Sequence, residues 1–233
     1  MAFVRTKWSQ FLEPNSELPT DVVFIVEERH QEEHQEGVTG HQEEPDEKKV
    51  KRVPAHMFLL AGASPVFRRQ FFGAAKENRA EVVIKDTTIE AFTTMIKFLY
   101  VDPHPKQFSL EDIDCPQRLC EMVNISERYQ IPDLLEMAKA ALENLPVTEE
   151  NLIFTATTAK NYSVFEEVSK MLTAKCQAFL SLKLKTAEDV FSMIVKTKES
   201  FPGADMNVLC DLLKKTTGFN HWPTDRARRC YCI

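Results

Sequence analysis

The sequence predicts an α+β fold, with a few short strands near its beginning and helices afterwards. Strand-like runs occur at Val22 to Val26, at residues 50 to 53 and at Glu81-Val82-Val83-Ile84-Lys85, and then stop. From Ala55 onward apolar residues recur at helical spacing. With 233 residues and 43% hydrophobic content the chain can bury a sizeable core, and two packed units are expected.

Each element has a local reason. Val22 to Val26 is a continuous apolar run rich in β-branched residues, short enough for a buried strand. Ser64-Pro65 reads as a helix start, since serine caps free amides and proline needs no amide partner at the first helical position. Val66, Phe67, Gln70 and Phe71 then form one stripe. In Thr87-Thr88-Ile89-Glu90, Thr87 and Glu90 have capping-box spacing, and Ile89, Phe92, Met95, Ile96 and Leu99 form the face predicted to be core.

Pro116 and Pro132 open two further helices that turn near Tyr129. Their expected apolar residues are Leu119, Met122, Val123 and Ile125, then Leu135, Ala138, Ala141 and Leu142. The spacing Tyr129, Ile131, Leu135, Ala138, Ala141 recurs as Tyr162, Val164, Val168, Met171, Ala174, which suggests a second helical hairpin at about 149–180. Pro146 with Thr148-Glu149-Glu150 supplies a helix stop and a threonine-capped acidic start, so a domain boundary is placed near 146. Beyond about 200, Pro202-Gly203 and the run Gly218 to Ile233 interrupt the pattern.

Charge and composition exclude several classes. The net charge of -6 is concentrated in one stretch: eight acidic residues against Arg29 give -7 over residues 28–47, leaving the remainder near neutral. A body without a basic stripe lacks the electrostatic footprint that holds a nucleic-acid backbone, so no nucleic-acid partner is expected. The first residues carry no apolar signal-peptide core, and no apolar run reaches the roughly 18 residues needed to span a bilayer. A cytoplasmic protein is expected, with the nucleus also open. The six cysteines, at 115, 120, 176, 210, 230 and 232, form no Cys-x-x-Cys pair, and reduced thiols are expected.

Val53-Pro54-Ala55-His56, Leu59-Leu60-Ala61 and Ser64-Pro65-Val66-Phe67 together resemble the central motif of BTB/POZ domains. Leu18-Pro19-Thr20-Asp21-Val22-Val23-Phe24 looks like that family's opening strand, Val83 to Asp86 leads to Phe98-Leu99-Tyr100, and Tyr129 to Leu135 is similar to its late element. The resemblance spans about 11 to 145, and residues 149–180 resemble, less specifically, the helical BACK extension that follows many such domains. It implies a small β-sheet packed on helical hairpins, with Asp21, His56, Ser64, Pro65 and Phe67 as fold-specifying residues, followed by an all-α extension. The implied division is a dimerisation segment at 1–20, a BTB/POZ domain at 21–146 with the acidic insert at 28–47, the extension at 147–200, and a last helix and tail at 201–233.

The resemblance also implies protein partners and a homodimer, for which Phe11, Leu12, Leu18 and Asp21 are the candidate interface. Many such proteins hold a cullin scaffold and a ubiquitylation substrate, so a substrate-adaptor role is the leading reading and a scaffold without a ligase role is the alternative. The candidate cullin contacts are Ala75, Glu77 and Tyr100, in and beyond Ala75-Lys76-Glu77, where the hydrophobic anchor is only a methyl group. Met57 stands where the family commonly has lysine or arginine, leaving no cation there for Asp21.

Three motifs spell sharper chemistries. His30-Gln31-Glu32-Glu33-His34 fits a zinc-protease spelling, but its flanks supply no apolar helix face, and His-Gln-Glu recurs at 30, 34 and 41 as in low-complexity sequence. Cys230 lies at the prenylation distance from Ile233, yet Cys232 replaces the expected aliphatic residue, and a plain tail is preferred. His56 has no nucleophile marked for it and reads as structural; Asp21 reads as a buried strand-end carboxylate. No nucleophile elbow or phosphate loop occurs among the six glycines. No catalytic residue, metal or cofactor is expected.

Overall fold

A computed structural model of the chain describes residues 19–28, 49–74, 81–100 and 108–217. Among them are three strands, β1 (Val22–Glu28), β2 (Lys49–Ala55) and β3 (Glu81–Ile84). Nine helices accompany them: α1 (Met57–Ala63), α2 (Pro65–Phe72), α3 (Ile89–Tyr100), α4 (Pro116–Arg128), α5 (Pro132–Asn144), α6 (Leu152–Asn161), α7 (Glu166–Lys183), α8 (Ala187–Ser200) and α9 (Met206–Thr217). The fold is α+β, as the sequence predicts. The chain divides into two compact units, one comprising residues up to Asp112 with Glu121–Ala138, the other Ile113–Cys120 with Lys139 onward. The division runs through α4 and α5 and not through the Pro146 stop.

In the first unit the sheet has the order β2-β1-β3, with β1 antiparallel to β2 and parallel to β3. The strands are longer at the β1–β2 end than their apolar runs, because backbone pairing of Glu27 with Val50 and Glu28 with Lys49 needs no apolar side chain. Ala55 closes β2 instead of opening a helix. Pro54 is tolerated because β2 is an edge strand. β1 is buried fully on one face only: Val22, Phe24 and Val26 are buried while Val23 and Ile25 are half-buried.

The buried side of β1 meets an aromatic cluster. Phe24 lies 5.6 Å from Phe67, 6.3 Å from Phe71 and 5.0 Å from Phe92, and Phe67 lies 4.7 Å from Tyr129. On α3 the core face is centred on Ala91, Phe92, Met95, Ile96 and Tyr100, so the expected Ile89 and Leu99 are its half-buried margins. Its cap is Thr88, whose Oγ1 accepts from Ala91 N and donates to Glu121, and the Thr87–Glu90 box does not form because the helix begins one residue later. The α4–α5 turn passes through Gln130 at φ 54°, the left-handed region.

The second unit is helical. Leu152, Ile153, Ala156, Cys176, Leu180, Leu209 and Leu213 belong to its buried core, as do Val190 and Met206. The α7 stripe is Val168, Leu172, Cys176 and Leu180, so Met171 and Ala174 of the expected repeat fall half-buried and exposed. In α5, Leu134 takes the buried place expected for Leu135, aligning with Ala138 and Leu142 at four-residue steps. α6 starts at Leu152, later than Thr148, because Thr148 and Asn151 close a turn on each other, each side chain accepting the other's amide.

Candidate interaction surface

The fold motif builds two corners in the first unit. At the start of α2, the fully buried Ser64 accepts from Val66 N and Phe67 N, while its own hydroxyl donates to Tyr129 O at 2.6 Å, 65 residues away. Pro65 occupies the first helical position, where a missing amide costs nothing. One serine therefore caps a helix and ties it to the α4–α5 turn. Phe67 then points into the aromatic cluster.

The second corner is at the start of α1. His56 N donates to Tyr100 Oη at 2.7 Å, and Nδ1 of the same histidine lies 2.8 Å from that oxygen. Burial pushes the Tyr100 phenol up to about 12, against the opposing His56 amide bond and with a smaller push from Asp21. His56 makes no side-chain cap for α1; Asp21 supplies it instead, accepting Met57 N on Oδ1 at 2.7 Å while Asp21 N donates to Ala55 O. The position expected to carry a cation thus meets Asp21 through its backbone amide.

Two expectations are corrected here. Tyr100, read as a cullin contact, is 0% exposed and its hydroxyl is engaged with His56, so it presents nothing to a partner. Asp21, read as buried, is exposed, because it sits just before the end strand residue Val22 and reaches over to cap a helix from outside. Phe11, Leu12 and Leu18, Ala75-Lys76-Glu77, His30 to His34, nearly all of the acidic insert, and Cys230 lie outside the described residues. Among the described residues no group of His, Cys, Asp or Glu is arranged to hold a metal, and no helix is long and apolar enough to cross a membrane.

What the corners hold in place is α1, Met-Phe-Leu-Leu-Ala-Gly-Ala, a helix with no polar side chain. Only Leu60 and Ala61 are buried. Phe58 is 80% exposed, Met57 and Leu59 are half-buried, and one turn beyond Phe58 is Gly62, where a Cβ would meet nothing within 4 Å. An apolar helix that leaves its aromatic side chain in water is the mark of a surface that docks something. Phe58 escaped the sequence reading because it lies among the motif's leucines. A seven-residue run without one polar side chain was the available signal.

The second unit contributes charged fastenings. Glu149 pairs with both Lys196 and Lys183, and its carboxyl is held below the usual range chiefly by the Lys196 hydrogen bond. Thr186 and Asp189 form a capping box at the start of α8. Lys175 Nζ donates to the carbonyls of Leu142 and Glu143 near the end of α5, where a cation also complements the helix dipole. Burial pushes the Cys176 thiol up to about 12, as its place in the aliphatic core requires.

A sheet of three strands with helical corners fastened by serine, histidine and tyrosine, and an apolar helix turned outward, describes a protein-interaction module. Residues 47–145 match the BTB/POZ domain model, and the chain is a BTB/POZ-domain protein. β1, which completes the sheet, lies upstream of the matched residues. Similar proteins include BTB/POZ domain-containing protein 6 of Xenopus laevis, 31% identical over 180 residues that are 72% of this chain and 27% of that protein. BTB/POZ domain-containing protein 9 of Rattus norvegicus is 26% identical over 174 residues, 70% of this chain and 27% of that protein. The human protein of that name is 28% identical over 144 residues, 61% of this chain and 21% of its own length. The matched stretch is therefore about a quarter of these relatives' length.

Proposed function

We propose that this protein is an interaction adaptor that self-associates through its BTB domain, with the outward face of α1 at the centre of the contact. The observation that carries this reading is Phe58, 80% exposed on a helix with no polar side chain. Aromatic side chains at the centre of a desolvated contact are the common anchors of protein interfaces. Phe11, Leu12 and Leu18 precede the first strand and supply further apolar surface for the same contact. The test is molar mass by light scattering: the chain is expected to run as a dimer, and Phe58→Asp as a monomer with unchanged helix content. A monomer from the unsubstituted chain, or a dimer from Phe58→Asp, sinks the reading.

The finer part of the proposal is that the dimer serves as substrate adaptor of a cullin-based ubiquitin ligase, in the cytoplasm, with Ala75 and Glu77 at the scaffold. Two sites per dimer would raise avidity for a substrate. One observation favours the alternative, a scaffold with no ligase role: burial of Tyr100 removes one of the three expected contacts, leaving a methyl group as the only apolar anchor. Pull-down of a cullin N-terminal domain separates them, with retention at micromolar concentration expected for the adaptor and none for the scaffold.

A further inference from the structure

The two edges of the three-stranded sheet are built differently. β2, one edge, carries Lys49, Lys51, Arg52 and Pro54, charges and a missing amide of the kind that keep an edge from pairing with another strand. β3, the other, is Glu81-Val82-Val83-Ile84 and runs straight into Lys85. Between its two charges it holds only β-branched residues, which favour strands. Among the described residues β1 is its one neighbouring strand, so the outer side of β3 has no strand to pair with.

The composition of this edge points to what fits it. Glu-Val-Val-Ile-Lys is complementary to itself in the antiparallel sense: centred on Val83, it sets Glu81 opposite Lys85 of a second copy, Val82 opposite Ile84, and Val83 opposite Val83. Opposite charges directly across a strand pair stabilise it, whereas the parallel in-register alignment places like charges abreast. Glu81 and Lys85 already pair within one copy, with Arg52 and with Glu27 at 3.6 Å, yet both side chains stay about half exposed and have room for a second partner. Val83 is 48% exposed, and across from it in β1 is the half-buried Ile25. The pairing joins two such Ile25–Val83 rows into one apolar stripe across the outer face of the sheet.

We propose that β3 is a second self-association edge, at which two copies pair antiparallel about a two-fold axis through Val83. The contact uses none of the residues of α1 and does not depend on the contact there. A pair of four-residue strands is much smaller than the interface of a stable dimer, so it forms in concentrated protein and leaves the mass of the dilute chain to the α1 contact.

Disulfide trapping in the full-length chain tests the register. Residues directly opposite in an antiparallel pair have Cα atoms about 4.5–5.5 Å apart, within reach of a disulfide, while positions four residues out of register are roughly 13 Å away. Glu81→Cys and Lys85→Cys proteins, mixed at high concentration and mildly oxidised, are expected to yield a peptide linked between positions 81 and 85, identified by mass. Val83→Cys is expected to link to its own copy, and Glu81→Cys alone to give several-fold less linkage. Adding Val83→Lys to both members of the mixture sets two ammonium groups against each other at the axis and is expected to abolish the link while helix content is retained. No link between positions 81 and 85 above the level of either protein alone overturns the proposal, as does a link that Val83→Lys leaves in place in folded protein.

Discussion

The two units are held together by different kinds of interaction. In the first, single polar groups join segments far apart in the sequence within or beside the core: Ser64 to Tyr129, His56 to Tyr100, and Asp21 to Met57. In the second, the long-range side-chain pairs Lys160–Asp205 and Lys196–Glu149 are exposed, and the burial is done by aliphatic side chains. A buried hydroxyl with one compatible partner specifies a position, whereas an apolar stripe specifies only a face. Loss of a group in the first unit therefore strands its partner away from water, while loss of an exposed partner in the second returns the other to solvent.

The largest effect is expected at the centre of the first unit. Phe67 is fully buried and touches Phe24, Phe71 and Tyr129, so Phe67→Ala should cost about 3–5 kcal/mol in urea unfolding followed by circular dichroism. A cost below about 1 kcal/mol would mean that the aromatic cluster does not organise this unit.

Ser64→Ala sharpens the contrast, because it removes little volume. It deletes the cap of α2 and leaves the Tyr129 carbonyl without its hydroxyl, for which about 2–3 kcal/mol is expected. Hydrogen exchange in the first turn of α2 should rise with it. If stability falls by less than about 0.5 kcal/mol, a typical surface change, the polar corner is not what positions α2.

The same division explains what could be read beforehand. Ser64-Pro65, His56 and the strand-forming runs were legible because each needs a particular residue type at a particular place. The later helices were legible as helices, but their inward faces were shifted by a residue, as with Leu134 for Leu135 in α5 of the first unit and Leu172 for Met171 in α7 of the second. Apolar neighbours at both positions leave periodicity unable to choose, and only packing decides. Tyr100 was misjudged and Phe58 missed for a related reason: an aromatic residue reads as core or contact alike until the neighbouring elements are placed. Burial of Tyr100 and exposure of Phe58 depend on which side of α1 and α3 faces the sheet.

Tyr100→Phe is the next test and the most selective. It keeps the ring and removes the acceptor of His56 N, so about 1–3 kcal/mol is expected. In the unsubstituted protein, Tyr100 and Tyr129 are both pushed up to about 12, Tyr100 by burial against the His56 amide bond and Tyr129 by burial against Arg128. The fold favours the neutral phenols. Their contribution is whole below the unfolded value of about 10 and is lost as pH rises through about 12. Absorbance titration should show two phenols ionising near 12 in the native protein, and one in Tyr100→Phe. Ionisation of all tyrosines near 10 while the fold persists would contradict the buried corner.

The smallest effect is expected at Glu149, where three chain segments meet through Lys183 and Lys196. Its carboxyl is held low, mainly by the Lys196 hydrogen bond, so the stabilisation is present above the ordinary carboxylate range and fades as pH falls through the lowered value. Lys196 is raised by the same hydrogen bond, so its share is present below the ordinary lysine range and fades only as pH rises above it. Both partners are solvent-facing, which screens the pair and lets either return to water when the other is removed. Glu149→Gln should therefore leave the unfolding midpoint close to that of the unsubstituted chain at moderate salt, with the difference visible only at low ionic strength and vanishing in acid. A loss at Glu149 as large as that at Ser64, unaffected by salt, would show that the second unit also depends on polar groups that have nowhere else to go, and the distinction between the two units would fail.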